Sequence, residues 1–200
     1  MNGANLARQW TVLTLTAGVL LGSAATMWAQ EDRFFPKTKR LGRAATEYRD
    51  DDIHVVAAHH YSQRNHDSRW LLIQTAVSTT RDLTIDRQNI SLVTPEGRVV
   101  SLPSQARFAR DVSRVRPVVQ NAWVTRHDVL SYFNQRDWQE SMRLFALDSG
   151  TVLTNFVTDK DHVAVGDLFF DAPTGSWGPG TYSLVIERDG ARAVLPIELD

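Results

Sequence analysis

From about residue 53 onward, short runs of β-branched and aromatic residues separated by turn residues dominate the chain. Runs of this length and spacing predict antiparallel strands, and a sandwich or barrel rather than a fold of alternating strands and helices. Two joints are sharp: Pro95–Gly97 connects two runs, and Asp189–Gly190 is a strong signal for a tight hairpin. The sequence therefore predicts a mainly β domain. Its predicted strands are residues 53–61, 70–78, 89–95, 98–104, 142–147, 151–158, 165–173, 181–188 and 193–199.

A helical insertion is predicted at about residues 104–136, where the strand pattern is interrupted. Ser104 and Thr125 are each suited to be a helix N-cap. Apolar residues follow both caps at helical spacing: Phe108, Val112, Val115, Val129, Leu130 and Phe133. We expect one or two short helices, separated at Pro117 and packed against an open end or edge of the sheets.

The C-terminal stretch GSWGPGTYSLVIERDGARAVLPIEL contains Gly180, Tyr182 and Leu184 in a G-x-Y-x-L pattern. It resembles the last two strands of bacterial immunoglobulin-like and fibronectin-type sandwiches. The resemblance covers about twenty-five residues and implies an immunoglobulin-like antiparallel β-sandwich for residues 53–200. It also implies that the Tyr182 hydroxyl bonds back to a nearby backbone group. Trp70, inside a predicted strand, is expected in the core.

The N-terminal segment predicts export. Within residues 1–29 Arg8 is the only charged side chain, and nineteen residues without a charge follow Trp10, as in the n- and h-regions of a secretory signal. Cleavage is expected after Ala25 or Ala29. An uncleaved membrane anchor is the alternative, because nineteen apolar or small residues are just long enough to span a bilayer.

Residues 30–52 are predicted to form a charged flexible leader, since basic residues from Arg33 to Arg43 precede the acidic run Asp50–Asp52. The alternative hypothesis is contact of the basic half with anionic lipid or a partner. The net charge of −1 argues against a nucleic-acid binder. The absence of cysteine excludes disulfides, thiolate catalysis and a lipid-modified N-terminal cysteine. Membrane contact is expected only through the N-terminal segment.

Four of the six histidines lie between His54 and Trp70, which raises the question of a metal site. In an extended strand His54 and His60 lie roughly 20 Å apart, far beyond one coordination sphere. The remaining metal hypothesis combines His60 and His66 with Asp67. We expect instead a strand followed by a hydrated turn, with no bound metal or cofactor.

Catalytic signatures are lacking: the sequence contains no G-x-S-x-G, H-E-x-x-H, phosphate-binding loop or dinucleotide-binding glycine motif. No catalytic residue is therefore predicted. Residues 159–167 begin like a calcium loop, but Ala164 stands at the sixth position, so a polar turn is expected.

Three tryptophans outside the long predicted strands are candidate interaction residues: Trp123, Trp138 and Trp177. The alternative is that they cap the ends of the core. The sequence as a whole predicts an exported, non-catalytic interaction module of the cell envelope. Its expected partner is another envelope protein, bound along an exposed edge strand or through the helical insertion. The second hypothesis is a ligand- or metal-binding sandwich. The third is an enzyme of unrecognised type.

Overall fold

The strands of the protein are short to medium in length and follow one another closely from Thr38 to Leu199. A computed structural model describes Phe35 and residues 37–59, 68–124, 128–134 and 137–199, without the side chains of residues 123 and 124. The strands are β1 (Thr38–Arg40), β2 (Ala45–Arg49), β3 (Ile53–Ala58), β4 (Trp70–Thr79), β5 (Leu83–Asp86), β6 (Ile90–Val93), β7 (Val99–Ser101), β8 (Trp138–Ser141), β9 (Asn155–Thr158), β10 (His162–Asp171), β11 (Gly180–Arg188) and β12 (Ala191–Leu199). The helices are α1 (Gln105–Arg110) and α2 (Val112–Val124), with 3-10 turns at Arg87–Asn89 and Val129–Tyr132.

Three sheets organise these strands. The larger two have the orders β1-β2-β3-β4-β10-β8 and β12-β11-β6-β7, and β5 pairs with β9. The pairing of β10 with β8 is parallel, whereas β10 and β4 are antiparallel. The prediction of a mainly β fold built from antiparallel sheets with a helical insertion is confirmed.

The main core lies between the two larger sheets. Because side chains alternate along a strand, β4 directs Leu71, Ile73 and Val77 to this core, where β11 contributes Leu184 and Ile186. All five are almost fully buried. The opposite face of β4 carries Trp70 and Leu72, which belong to a second apolar cluster.

The helical segment covers the outer face of the six-stranded sheet. The sequence-based expectation that it would pack against an open end or edge of the sheets is wrong. Phe108 of α1 and Val115, Val118 and Ala122 of α2 pack in one cluster with Trp70. In a second cluster, the apolar residues following α2 pack on the same sheet: Val129, Leu130, Tyr132 and Phe133. The insertion is therefore a cover that buries apolar side chains which a one-layered sheet would expose to water.

The predicted break between the helices is at the wrong residue. Ser104 caps α1 as predicted, its hydroxyl accepting from the Arg107 backbone N–H at 3.1 Å. The chain leaves helical geometry at Asp111 (φ −106°, ψ 16°), while Pro117 lies inside α2. A proline there removes one backbone donor, but the buried contacts on both sides of it hold the helix together. The predicted cap Thr125 lies outside the described residues.

Residues 30–52 were predicted as a leader, and the structure corrects this from Thr38 on. Strand β1 pairs with β2, and β2 pairs with β3. Tyr48 of β2 is buried in the main core. Exposed charged side chains on the edge strand β1 and on its neighbour β2 conceal the strand pattern, because such residues are also typical of a linker.

Other strand boundaries also differ from prediction. Strand β3 ends at Ala58 rather than residue 61, and β5 was not predicted. Residues 142–147 are irregular, because the backbone at Arg143 has a positive φ of 32°, although Met142 and Leu144 remain buried.

The two predicted tight turns are confirmed. Asp189 and Gly190 both have positive φ, 48° and 88°, and connect the paired residues Arg188 and Ala191, as a two-residue hairpin of type I′ requires. At the other turn, Pro95–Gly97, the Thr94 N–H donates to the Arg98 carbonyl at 2.8 Å.

Tyr182 makes the contact that the G-x-Y-x-L resemblance implies. Its hydroxyl donates to the Gly178 carbonyl oxygen at 3.0 Å, its side chain is buried, and its ring meets Trp177 edge-on at 5.4 Å between centroids. The bond fastens the loop before β11 to the strand.

We expect Tyr182→Phe to lower the free energy of unfolding by about 1 kcal/mol, because it removes one hydrogen bond and leaves a carbonyl without its donor. Urea denaturation measures this loss. The exposed Thr181, changed to Ala on the same strand, is the control. Equal midpoints for Tyr182→Phe and the parent protein would show that the hydroxyl contributes nothing.

Candidate interaction surface at the β8 edge

Strand β8 forms one edge of the six-stranded sheet and has an exposed apolar residue on it. All four of its residues, Trp138–Ser141, are exposed, and the Trp138 side chain is 73% exposed. β8 pairs with β10 on one side and ends the sheet on the other. An exposed strand edge with an aromatic side chain is a recognised type of protein-binding surface.

The backbone hydrogen bonds show which groups of β8 face outward. The Trp138 N–H donates to the Asp161 carbonyl at 2.7 Å, and the Met142 N–H donates to the Val165 carbonyl at 2.9 Å. Backbone groups of successive strand residues point to alternate sides. The N–H groups of Gln139 and Ser141 are therefore directed away from β10, toward the sheet edge.

A glycine on β10 lets the end of β8 pack closely. A Cβ at Gly166 would lie 2.7 Å from the Met142 Cβ, nearer than side-chain carbons approach one another. Met142 is fully buried and belongs to the main core. β8 is thus anchored at its C-terminal end by Met142, while its own four residues stay exposed.

The other three end strands of the two larger sheets are less suited to accept a partner strand. β1 carries Lys39 and Arg40, and charged side chains oppose strand addition. β12 contains Pro196, whose carbonyl accepts from Thr46 Oγ1 at 3.3 Å, and its Glu198 carbonyl accepts from His59 Nε2 at 2.6 Å. β7 has only three residues.

A polar cleft of about 270 Å³ begins beside β8 at Asp137, the residue before Trp138. Its floor includes His54 and Ser78, which face each other across β3 and β4. Charges of both signs line it: Arg49, Lys160, Asp50, Asp52 and Asp137. The cleft extends the exposed surface at the Trp138 end of the edge.

His54 is the strongest candidate for proton transfer in the cleft. Its Nε2 lies 2.9 Å from Glu47 Oε1, and its ring stacks on Phe133 with centroids 4.2 Å apart. Burial lowers the pKa of His54, although the hydrogen bond to Glu47 opposes this shift. Ser78, the nearest serine in register, donates its hydroxyl proton to the Asp159 carbonyl at 3.2 Å. The Ser78 hydroxyl proton is therefore directed to a backbone carbonyl and not to His54, so Ser78 is not activated as a nucleophile by the Glu47–His54 pair. This geometry favours a structural role for the pair.

Asp50 at the cleft wall is fully engaged in hydrogen bonds. Its Oδ1 accepts from the N–H groups of Asp52 and Ile53, each at 2.9 Å, and its Oδ2 accepts from Lys37 Nζ at 3.0 Å and from the Tyr48 hydroxyl at 2.9 Å. Burial raises the pKa of Asp50, but these bonds outweigh it and lower the pKa to about 2. Asp50 is therefore ionised, and its carboxylate stabilises the β2–β3 turn through these hydrogen bonds.

The structure separates the tryptophans predicted from the sequence. Trp138 is exposed on β8, whereas Trp177 is half-buried and packs against the main core. Trp70 is fully buried, as expected, and its Nε1 donates to Asp111 Oδ2 at 3.0 Å. The side chain of Trp123 lies outside the described residues. Only Trp138 among the described members of this group has the exposure of a contact residue.

The alternative metal ligands His60, His66 and Asp67 lie outside the described residues. Within the part of the chain that the structure describes, no group of three His, Asp or Glu side chains is close enough to hold a metal ion. His162 and Asp159 bond each other at 2.7 Å across the turn between β9 and β10, and Asp159 Oδ1 also accepts two backbone N–H groups. The polar turn predicted at residues 159–167 is confined to residues 159–161, because strand β10 begins at His162.

No protein-family model, curated protein or solved structure matches the chain. In the described ranges, no helix has both the length and the hydropathy to cross a membrane. The predicted signal or anchor segment, residues 1–29, lies outside these ranges.

Proposed function

We propose that this protein is an exported, non-catalytic interaction module of the cell envelope that binds an extended segment of another envelope protein along β8. The observation that carries the proposal is the exposed β8 edge, with Trp138 on it and the Gln139 and Ser141 backbone groups directed outward. A partner strand would gain main-chain hydrogen bonds there and an aromatic contact. We also propose an immunoglobulin-like sandwich topology, supported by the core shared between the two larger sheets.

The β8 edge is a better binding surface than the helical insertion. The apolar side chains of the insertion are turned toward the sheet, where Phe108, Val115 and Val118 are at most 2% exposed. A helix that binds a partner through a groove must present an apolar stripe, and α2 uses its stripe to cover the sheet. The insertion would have to turn its apolar side chains away from the sheet to bind a partner, whereas Trp138 is already exposed.

A proline substitution tests whether backbone pairing at the edge matters. Gln139→Pro removes an outward N–H while the Trp138 and Met142 bonds to β10 remain, and Gln139→Ala is its matched control. In capture from extracts of the native cell envelope, we expect Gln139→Pro to lose its bound proteins and Gln139→Ala to keep them. Trp138→Ala should weaken capture, whereas Val99→Ala, at the 64% exposed Val99 of β7, should not.

Far-UV circular dichroism and the unfolding midpoint establish that each variant is folded before capture is compared. Partners retained at the parent level by folded Gln139→Pro and by Trp138→Ala would rule out the β8 edge as the binding surface.

A further inference from the structure

The side chains of β8 specify a partner more narrowly than its backbone does. Strand side chains alternate between faces, so Trp138 and Glu140 lie on one face of the edge and Gln139 and Ser141 on the other. All are exposed. A strand added beside β8 would therefore place two of its residues, spaced two apart, directly next to Trp138 and Glu140.

The charged residue on the Trp138 face of β8 is Glu140, which is exposed. The nearby carboxylate of Asp161 lies 3.7 Å from Lys160 Nζ, so these two residues add little net charge. Asp137 precedes the strand at the mouth of the cleft. Opposite charges across paired strands stabilise the pairing, and like charges directly opposite destabilise it.

Resting on the proposed function, we infer that the bound segment carries a large apolar residue and a Lys or Arg two positions apart. The apolar residue packs on the Trp138 ring, since aromatic residues pair favourably with β-branched side chains across strands. The basic residue lies opposite Glu140. A second copy of this chain fits less well, because antiparallel pairing of β8 with itself gives Glu140 no basic partner within Trp138–Ser141.

Two synthetic peptides distinguish this inference from general strand addition. The first is acetyl-Thr-Thr-Val-Thr-Lys-Thr-Thr-amide, and the second replaces Lys by Glu. Titration of the ¹⁵N-labelled protein by NMR follows the Gln139 and Ser141 amides, and weak binding suffices for the measurement. We expect the Lys peptide to shift both amides and to bind about twofold to fivefold more tightly than the Glu peptide.

Charge reversal supplies the matched variant. In Glu140→Lys the preference should invert, so that the Glu peptide binds more tightly. In Gln139→Pro, which has no amide proton at position 139, the Ser141 amide should not shift with either peptide. Equal affinities of both peptides for the parent protein and for Glu140→Lys would overturn the inferred partner chemistry but leave strand addition at β8 in place. An absence of amide shifts with either peptide would overturn both. Concentration-dependent shifts of these amides without peptide would identify a second copy as the occupant and also overturn the inference.

Discussion

Phe108→Ala should lower the free energy of unfolding by about 3–5 kcal/mol, the range for removing a buried aromatic side chain. Phe108 is 1% exposed and is the centre of an aromatic cluster. Its ring centroid lies 5.7 Å from Trp70, 4.9 Å from Phe145 and 4.8 Å from Phe169. These contacts join α1 to the outer face of the six-stranded sheet, so the substitution opens a cavity between them.

Urea denaturation at neutral pH measures the change in the free energy of unfolding, and Phe133→Ala is the matched control. Phe133 is also an aromatic residue of the insertion, but it is only half-buried, so its substitution should lower the free energy of unfolding by less. Phe108→Leu supplies a milder step if the alanine variant unfolds. A loss below 1 kcal/mol for Phe108→Ala would mean that the insertion does not depend on this cluster.

Charged groups around the cluster limit how far the insertion can shift. Arg107 Nε donates to Asp171 Oδ2 at 2.8 Å, and Arg107 Nη2 donates to Asp111 Oδ2 at 3.0 Å. Arg69 Nε donates to Asp171 Oδ1 at 2.8 Å. The hydrogen bond from Arg107 and the further one from Trp70 lower the pKa of Asp111 to about 2 against the effect of burial. The Arg107–Asp171 ion pair thus connects α1 to β10, and the hydrogen bond from Trp70 Nε1 to Asp111 connects β4 to the residue after α1.

The parts of the fold that could be predicted are those with a local signal. Strands such as β4 and β11 contain continuous or alternating apolar residues, and Asp189–Gly190 has the backbone freedom that its hairpin demands. Ser104 was recognisable as a helix cap because its bond to Arg107 spans three residues. Each of these features depends on neighbours within a few positions.

The edge strand β8 could not be predicted, because its defining contacts are remote in sequence. β8 reads Trp-Gln-Glu-Ser, with one apolar residue and no alternation, and it is a strand because its backbone pairs with β10. The edge strand β1 and its neighbour β2 were also not predicted as strands, because their exposed charged residues are typical of a linker as well. From the sequence, Trp138 was a candidate interaction residue, but the backbone edge beside it had no local signal.

The Glu47–His54 pair was missed because residues 30–52 were predicted to be a leader rather than strands. The two residues are on neighbouring strands, and their contact is visible only when β2 is known to pair with β3. Phe133, which covers the imidazole, comes from the far end of the insertion. His54 is one of the histidines that raised the question of a metal site, and it is half-buried between the Glu47 carboxylate and the Phe133 ring.

Asp50→Asn should make the free energy of unfolding less dependent on pH in the acid range. The folded-state pKa of Asp50 is lowered from 3.8 to about 2, so the folded protein favours the ionised form. Its contribution to stability is complete above the unfolded pKa near 4 and is lost as the pH falls through about 2. The shift corresponds to about 1–2 kcal/mol once partial solvent screening is allowed for.

At pH 7 we therefore expect Asp50→Asn to be about 1–2 kcal/mol less stable than the parent protein. The difference should shrink as the pH is lowered from about 4 to 2, because Asp50 of the parent protein is progressively protonated and loses the charge that the variant lacks at every pH. Urea denaturation at a series of pH values measures the two curves, and their difference cancels the contribution of Asp111. Asp51→Asn, at the exposed neighbouring carboxylate, should follow the parent curve. A constant difference between Asp50→Asn and the parent over this range would show that the four bonds to Asp50 do not depend on its charge.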